Sequence, residues 1–301
     1  MSKKIHNPHD KFVRETFSDP ERAQAFVEEF LPEKIVNELD LSCLKVSQDS
    51  YLDNEMKEYF SDLILKIPVK KAKNRNLKIA FLFEHKSSPD NYVLFQVGHY
   101  LFSHYFKIIR QNKKLELLIP LIYYQGKQKW EVPSLLYHFK EYPGSFKEYI
   151  PQLEYLFIAL NLISQSHINT IRNSMLAASI TAQKLIENPV SAVKDFNRIL
   201  SIFPSDDKYT NFLNLIVVYI FEITDITEKE LADVFENISP PIKDKVMTTY
   251  DRLIHKGKIE EKIKMTLSFF DDGIGIPQLA KAARISEEEV VKILKDNGRK
   301  V

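Results

Sequence analysis

Cysteine is almost absent: Cys43 stands alone in 301 residues. One thiol cannot form an internal disulfide, and the chain is expected to fold in a reducing cytoplasm. Glycine is scarce too, at 7 residues beside 14 prolines, which excludes collagen-like and glycine-rich linker sequences. The first twelve residues, MSKKIHNPHDKF, hold no apolar core of the kind a secretory signal needs. The longest apolar run, residues 214–223 (NLIVVYIFEI), is too short for a bilayer span and predicts a buried helix, so no membrane partner is expected. Charge nearly cancels, with 42 Lys and Arg against 41 Asp and Glu, so the net balance gives no general attraction to nucleic acid. Also missing are the GxxxxGK[ST] phosphate loop, the dinucleotide fingerprint and the GxSxG elbow, which leaves ATP-driven and acyl-transfer chemistry without a motif. Zinc lacks a ligand set: His99 and His104 are five positions apart on a predicted helix, and Cys43 is the sole thiol.

What is present is a globular composition, 44% hydrophobic and 28% charged, whose pattern changes along the chain. DPERAQAFVEEFL reads as an amphipathic helix capped by Asp19, with Pro20 in its first turn and its end before Pro32. EYFSDLILKI alternates, placing Leu63, Leu65 and Ile67 on one face and Asp62, Ile64 and Lys66 on the other. A basic turn and then LKIAFLFEHK complete a predicted hairpin. DNYVLFQVGHYLFSHYFKIIRQ has helical period, and LELLIPLIYYQG is an apolar strand placed inside a sheet. From about Tyr142 the strand signals fade; EYIPQLEYLFIALNLIS, VSAVKDFNRILSIF and TNFLNLIVVYIFEITD all read as helices. Near the end, IPQLAKAARI predicts a short helix, and Ser286 with Glu289 forms a capping box opening another.

The stretch FLFEHKSSPDN (81–91) carries the chemistry. A strand that begins with three apolar residues continues into Glu84, His85 and Lys86, and buried charges are costly unless paired or bound to a cation. Residues two apart share a face, so Glu84 and Lys86 project together and His85 projects oppositely. Hairpin pairing can bring Asp62 beside Glu84. Two carboxylates with a nearby ammonium suit Mg²⁺ bound by hard oxygens, with the lysine orienting water or stabilising charge at phosphorus. Gln96 and Tyr100, four apart on the following helix, share a face and can bond to this site. The basic runs KIPVKKAKNRNLK and KIIRQNKK are phosphate contacts on one reading and solvated ends on the other.

These residues resemble the PD-(D/E)xK nuclease superfamily, and more closely the Rpn group of recombination-promoting nucleases, also described as YhgA-like transposases. The resemblance runs over roughly the first half, through NPHDKFVRETF, FVEEFLP, YFSDLILKI, FLFEHKSSPDN and LIPLIYYQGKQKW. It implies metal-ligand roles for Asp62 and Glu84, with the carbonyl of His85 as a further ligand, and a catalytic role for Lys86, supported by Gln96 and Tyr100. Relatives usually carry histidine before the glycine where this chain has Gln125 before Gly126. Glu28 and Glu29 are alternative assisting acids on the first helix.

The resulting expectation is an α/β, PD-(D/E)xK-type, restriction-endonuclease-like core with a mixed sheet flanked by helices, followed by a helical C-terminal region. The divisions are 1–141 for the nuclease-like domain, 142–257 for a helical region and 258–301 for a C-terminal helical hairpin. That hairpin superficially resembles a helix-turn-helix, but Glu287, Glu288 and Glu289 open its second helix where phosphate would be met, so it reads as packing or assembly. The expected activity is Mg²⁺-dependent (or Mn²⁺-dependent) DNA phosphodiester cleavage by a homodimer. The rivals are an inactivated nuclease fold that binds DNA or protein, and an assembly protein acting through its helical half.

Overall fold

The computed structural model describes residues 8–47, 63–70, 78–185, 192–203, 207–224, 226–236 and 238–300. Five strands form one mixed sheet in the order β1-β2-β3-β4-β5: β1 (Lys45–Ser47), β2 (Leu63–Pro68), β3 (Lys78–Lys86), β4 (Leu117–Tyr124) and β5 (Leu156–Ala159). Before the sheet come α1 (Pro8–Phe17), α2 (Pro20–Phe30) and the single turn α3 (Glu33–Val36), and α4 (Val93–Arg110) connects β3 to β4. After it come α5 (Gln165–Thr170), α6 (Ser174–Lys184), α7 (Ala192–Ile202) and α8 (Thr210–Ile223). The chain continues through α9 (Glu228–Phe235), α10 (Pro240–Asp271), α11 (Ile276–Ala283) and α12 (Glu287–Asp296).

The predicted hairpin forms: β2 and β3 pair antiparallel, with Leu63 opposite Phe83 and Leu65 opposite Phe81. Alternation then sorts side chains between two cores. Leu63, Leu65 and Ile67 join Phe17, Phe26 and Leu176 on the side covered by α1, α2 and α6. Ile64 joins Leu94, Val97 and Leu101 of α4 on the other. Both faces of β4 are therefore covered, which is why LLIPLIYY is apolar almost throughout. Asp19 caps α2 as its sequence suggests, its carboxylate accepting from the Arg22 N–H at 3.0 Å.

One expectation fails. EYIPQLEYLFIALNLIS is not a helix; its Leu156–Ala159 segment is β5, parallel to β4, followed by a 3-10 turn at Leu160–Leu162. Four apolar residues in a row carry no period that separates strand from helix, and Pro151 removes a helical N–H. The edge of β4 decides the matter by pairing Leu121–Tyr124 with them. The sheet thus extends beyond residue 141, and position 258 lies within the continuous helix α10.

A second core lies among α6 to α10, built from residues such as Phe196, Leu213, Ile216 and Val246. Phe12 of α1 enters it, stacking on Tyr219 at 4.0 Å, so α1 is wedged between the sheet and the helical half. The end of α10 packs on α11 and α12 through Phe270, Leu279, Val290 and Leu294. Ser286 caps α12, and Arg299 pairs with Asp271 at 2.6 Å. Among the described residues no helix is long and apolar enough to cross a membrane.

Candidate functional site

The end of β3 divides its charged residues as strand geometry requires. Glu84 and Lys86 have Cα partners Ile122 and Tyr124, whose side chains belong to the α4 side, while His85 is opposite Tyr123 on the α1 side. Glu84 is only 7% exposed. The Lys86 Nζ lies 3.2 Å from Glu84 Oε1, 2.9 Å from Asp90 Oδ2 and 2.6 Å from Gln96 Oε1. An ammonium has three protons, and here three oxygens receive them.

The Gln96 amide turns its other end to the Tyr100 hydroxyl, so the i, i+4 pair on α4 acts as one bracket. Glu84, Lys86, Gln96 and Tyr100 are thereby brought together as expected. Asp62 lies outside the described residues, as does the basic turn at 71–77. Asp90 was not anticipated. Its second oxygen accepts from the Tyr92 N–H at 2.8 Å, so one carboxylate ties the lysine to the start of α4.

Burial works against the Lys86 charge, but Glu84 and Asp90 outweigh it and hold the lysine pKa above its ordinary value. Burial would likewise raise Asp90, yet the Lys86 hydrogen bond prevails and keeps that carboxyl below the usual range. Lys86 is therefore an ammonium at neutral pH, a donor and positive charge rather than a proton acceptor. Glu84 and Asp90 offer only carboxylate oxygens. Among the described residues no cluster of three His, Cys, Asp or Glu is placed to hold a metal. The acids on α2 are occupied elsewhere: Glu28 accepts from Gln24, and Glu29 pairs with His167 at 3.1 Å.

The opposite face of β3 holds a polar network that the sequence did not reveal. The two ring nitrogens of His85 face Asp10 of α1 and, at 3.0 Å, the Gln125 Oε1. Gln125 is fully buried, and its Nε2 donates to the Tyr219 hydroxyl at 2.6 Å and to the Gln183 carbonyl at 3.2 Å. Tyr219 reaches His9 Nδ1 at 2.8 Å. The Gln125 backbone N–H also donates to the Lys86 carbonyl at 2.8 Å, which anchors the strand end carrying the charged cluster. Gln125 is thus the hub joining α1, the sheet, α6 and α8.

Within this network burial lowers the His9 pKa, His85 adds to the effect, and Asp10 opposes it. Above the unfolded value near 6.5 both states hold neutral His9. As pH falls below that value the unfolded chain takes up the proton first, so stability declines until the depressed folded pKa is passed. Melting temperature is expected to fall between pH 7 and pH 5, and His9→Gln is expected to flatten that fall. An identical pH profile for wild type and His9→Gln would remove His9 from the account.

A family model described as "Putative transposase, YhgA-like" matches residues 7–214. The chain belongs to this family. The match takes in β5, α5, α6, α7 and the first turn of α8, so the family likeness reaches well beyond the first half of the sequence. The recombination-promoting nuclease RpnA of Escherichia coli (strain K12) is 22% identical over 299 residues, covering 96% of this chain and 98% of that protein. The recombination-promoting nuclease RpnD of Escherichia coli O157:H7 is 27% identical over 123 residues, 40% of this chain and 46% of that one. A third relative, from strain K12, is named as the inactive recombination-promoting nuclease-like protein RpnE and is 22% identical over 288 residues, covering 89% and 91%. No solved structure matches the chain. Relatives named as nucleases and one named as inactive thus resemble it about equally, so the chain's own side chains must discriminate.

Proposed function

We propose that this YhgA-like protein is a metal-dependent DNA endonuclease with a PD-(D/E)xK-type core, hydrolysing phosphodiester bonds at the end of β3. The observation that carries the reading is the buried Glu84–Lys86 pair, extended by Gln96 and Tyr100. A buried ion pair stabilises a fold poorly compared with apolar residues of the same size, so it fits a chemical role better than a structural one. The antiparallel β2–β3 pair followed by parallel β4 across α4 is consistent with such a core. RpnA, similar over nearly its whole length, is named a nuclease.

Asp62 precedes Leu63, whose Cα partner Phe83 precedes Glu84. Asp62, Glu84 and the backbone carbonyl of His85 would hold Mg²⁺, or Mn²⁺, which accepts the same hard oxygen donors. Such an ion, when bound, supplies positive charge to a phosphate oxygen. Lys86 donates a hydrogen bond to the attacking water or to the oxygen on which charge develops, and must release Asp90 or Gln96 to do so. Gln96, steadied by Tyr100, sets the lysine's direction. Lys70 and its basic turn contact DNA phosphates, and the enzyme works in the cytoplasm.

The name of RpnE favours one alternative, a nuclease fold without activity that binds DNA or protein. Purified protein with supercoiled plasmid and Mg²⁺ separates the two. Nicking or linearisation is expected from wild type and not from Asp62→Ala, Glu84→Gln or an EDTA-treated sample. An intact plasmid in every sample would leave the inactive module as the better account.

A further inference from the structure

Helix α4 has two apolar faces, and the sheet covers only one. Phe95, Phe102, Phe106 and Ile109 on the outer face are 42, 59, 60 and 53% exposed. With His99 they are spaced four, three, four and three residues apart, a continuous stripe with the same repeat as the buried face of this helix. Three phenylalanines and an isoleucine at about half exposure present on the order of 400 Å² of apolar surface, the size at which a patch marks an interaction site. Doubled, that is roughly 800 Å² of apolar centre before any polar rim is added, against about 1,200–2,000 Å² for specific interfaces.

We infer that this stripe pairs with the same stripe of a second copy of the chain, antiparallel, with the twofold axis at Phe102. Two observations select that partner. The first is self-complementary shape. Phe95 and Ile109 lie seven residues either side of Phe102, while Gly98 and Phe106 lie four either side. Antiparallel pairing seats each Phe106 over the partner's half-buried Gly98, which has no side chain to obstruct it and whose missing Cβ would touch Leu153 Cδ2 at 3.9 Å. In an isologous contact, residue i meets j and j meets i, and this pattern has that property.

The second observation is charge. Lys107, Arg110, Lys113 and Lys114 are exposed at the C-terminal end of α4, and no Lys or Arg lies between Asp90 and Phe106. Parallel pairing would press the two basic ends together. Antiparallel pairing lays each beside the half of α4 that carries no Lys or Arg, with the helix dipoles also opposed. The pairing brings two Glu84–Lys86 clusters into one particle; that consequence rests on the nuclease reading, but the pairing itself does not.

The test is mass in solution, read without substrate. Light scattering and sedimentation of the full chain at micromolar concentration are expected to give twice 35.2 kDa. Phe102→Glu, which opposes itself across the axis, is expected to give the monomer with an unchanged far-ultraviolet circular dichroism spectrum. In a Cys43→Ser background, mixed Phe95→Cys and Ile109→Cys chains are expected to cross-link on oxidation while neither does so alone. The cysteine pair keeps the test valid should Phe102→Glu fail to fold. A monomeric wild type, a dimer that survives Phe102→Glu, or Phe95→Cys cross-linking to itself would each overturn the inference.

Discussion

Lys86→Met is expected to reduce plasmid cleavage by roughly 10²–10³-fold, the usual loss when one preorganised donor to developing charge is removed. Methionine keeps the length and apolar stem of lysine, so the change isolates the ammonium. That ammonium is held by Glu84, Asp90 and Gln96 at 2.6–3.2 Å, and its raised pKa keeps it charged across the neutral range. Lys86→Arg keeps the charge but spreads it over a planar fork that does not match three converging oxygens, so an intermediate rate is expected.

The same substitution tests stability. Removing the cation breaks the buried Glu84–Lys86 pair on one side, which costs about 3–5 kcal/mol. The pH dependence has two limbs. The folded Lys86 pKa is raised, so its stabilisation is complete below the unfolded lysine value and is lost as pH rises through the folded one. The folded Asp90 pKa is lowered, so its contribution is present above the unfolded carboxyl value and is lost as pH falls through the folded one. Thermal melts of Lys86→Met are expected to lose the alkaline limb. Wild-type cleavage rates from Lys86→Met would sink the assigned role.

Gln125→Leu is expected to be the most damaging volume-conserving change in the fold, at on the order of 3–5 kcal/mol. Leucine fills the same space but takes a hydrogen bond from each of three buried partners: the His85 ring nitrogen, the Tyr219 hydroxyl oxygen and the Gln183 carbonyl. Burial already drives the Tyr219 pKa upward, so the hydroxyl cannot escape the loss by ionising. Gln125→His, which retains a donor and an acceptor, is expected to cost less. Urea midpoints at neutral pH measure both, and a leucine variant within 1 kcal/mol of wild type, a loss below the usual range for one stranded buried group, would show the network to be dispensable.

How much of this was legible depended on the range over which each interaction acts. The β2–β3 hairpin was readable because Leu63, Leu65 and Ile67 alternate with Ile64 and Lys66 within one short window. The cluster of Glu84, Lys86, Gln96 and Tyr100 was readable because strand and helix periods fix it locally. β5 was not, since Leu156–Ala159 becomes a strand only through the unpaired edge of β4. Asp90 was hidden because it lies in the loop leading into α4, where spacing has no directional meaning. Asp10 and Gln125 were out of reach: the bond from Asp10 to His85 spans 75 residues and that from Gln125 to Tyr219 spans 94. Nothing in the local pattern of either residue signals its partner.

The reach of that network sets a timetable for synthesis. The strand bearing Glu84 and Lys86 is complete once Lys86 has emerged, but its reverse face is not sealed until Tyr219 follows it from the ribosome. At about 5–20 residues per second that interval is roughly 7–27 s. A chain cut short between β4 and α8 carries every described residue of the charged cluster and lacks the tyrosine that closes the network behind it. Premature termination in that window therefore yields a fragment with the proposed catalytic residues but without a fixed frame for them, so that the second half of translation governs when the charged cluster acquires its backing.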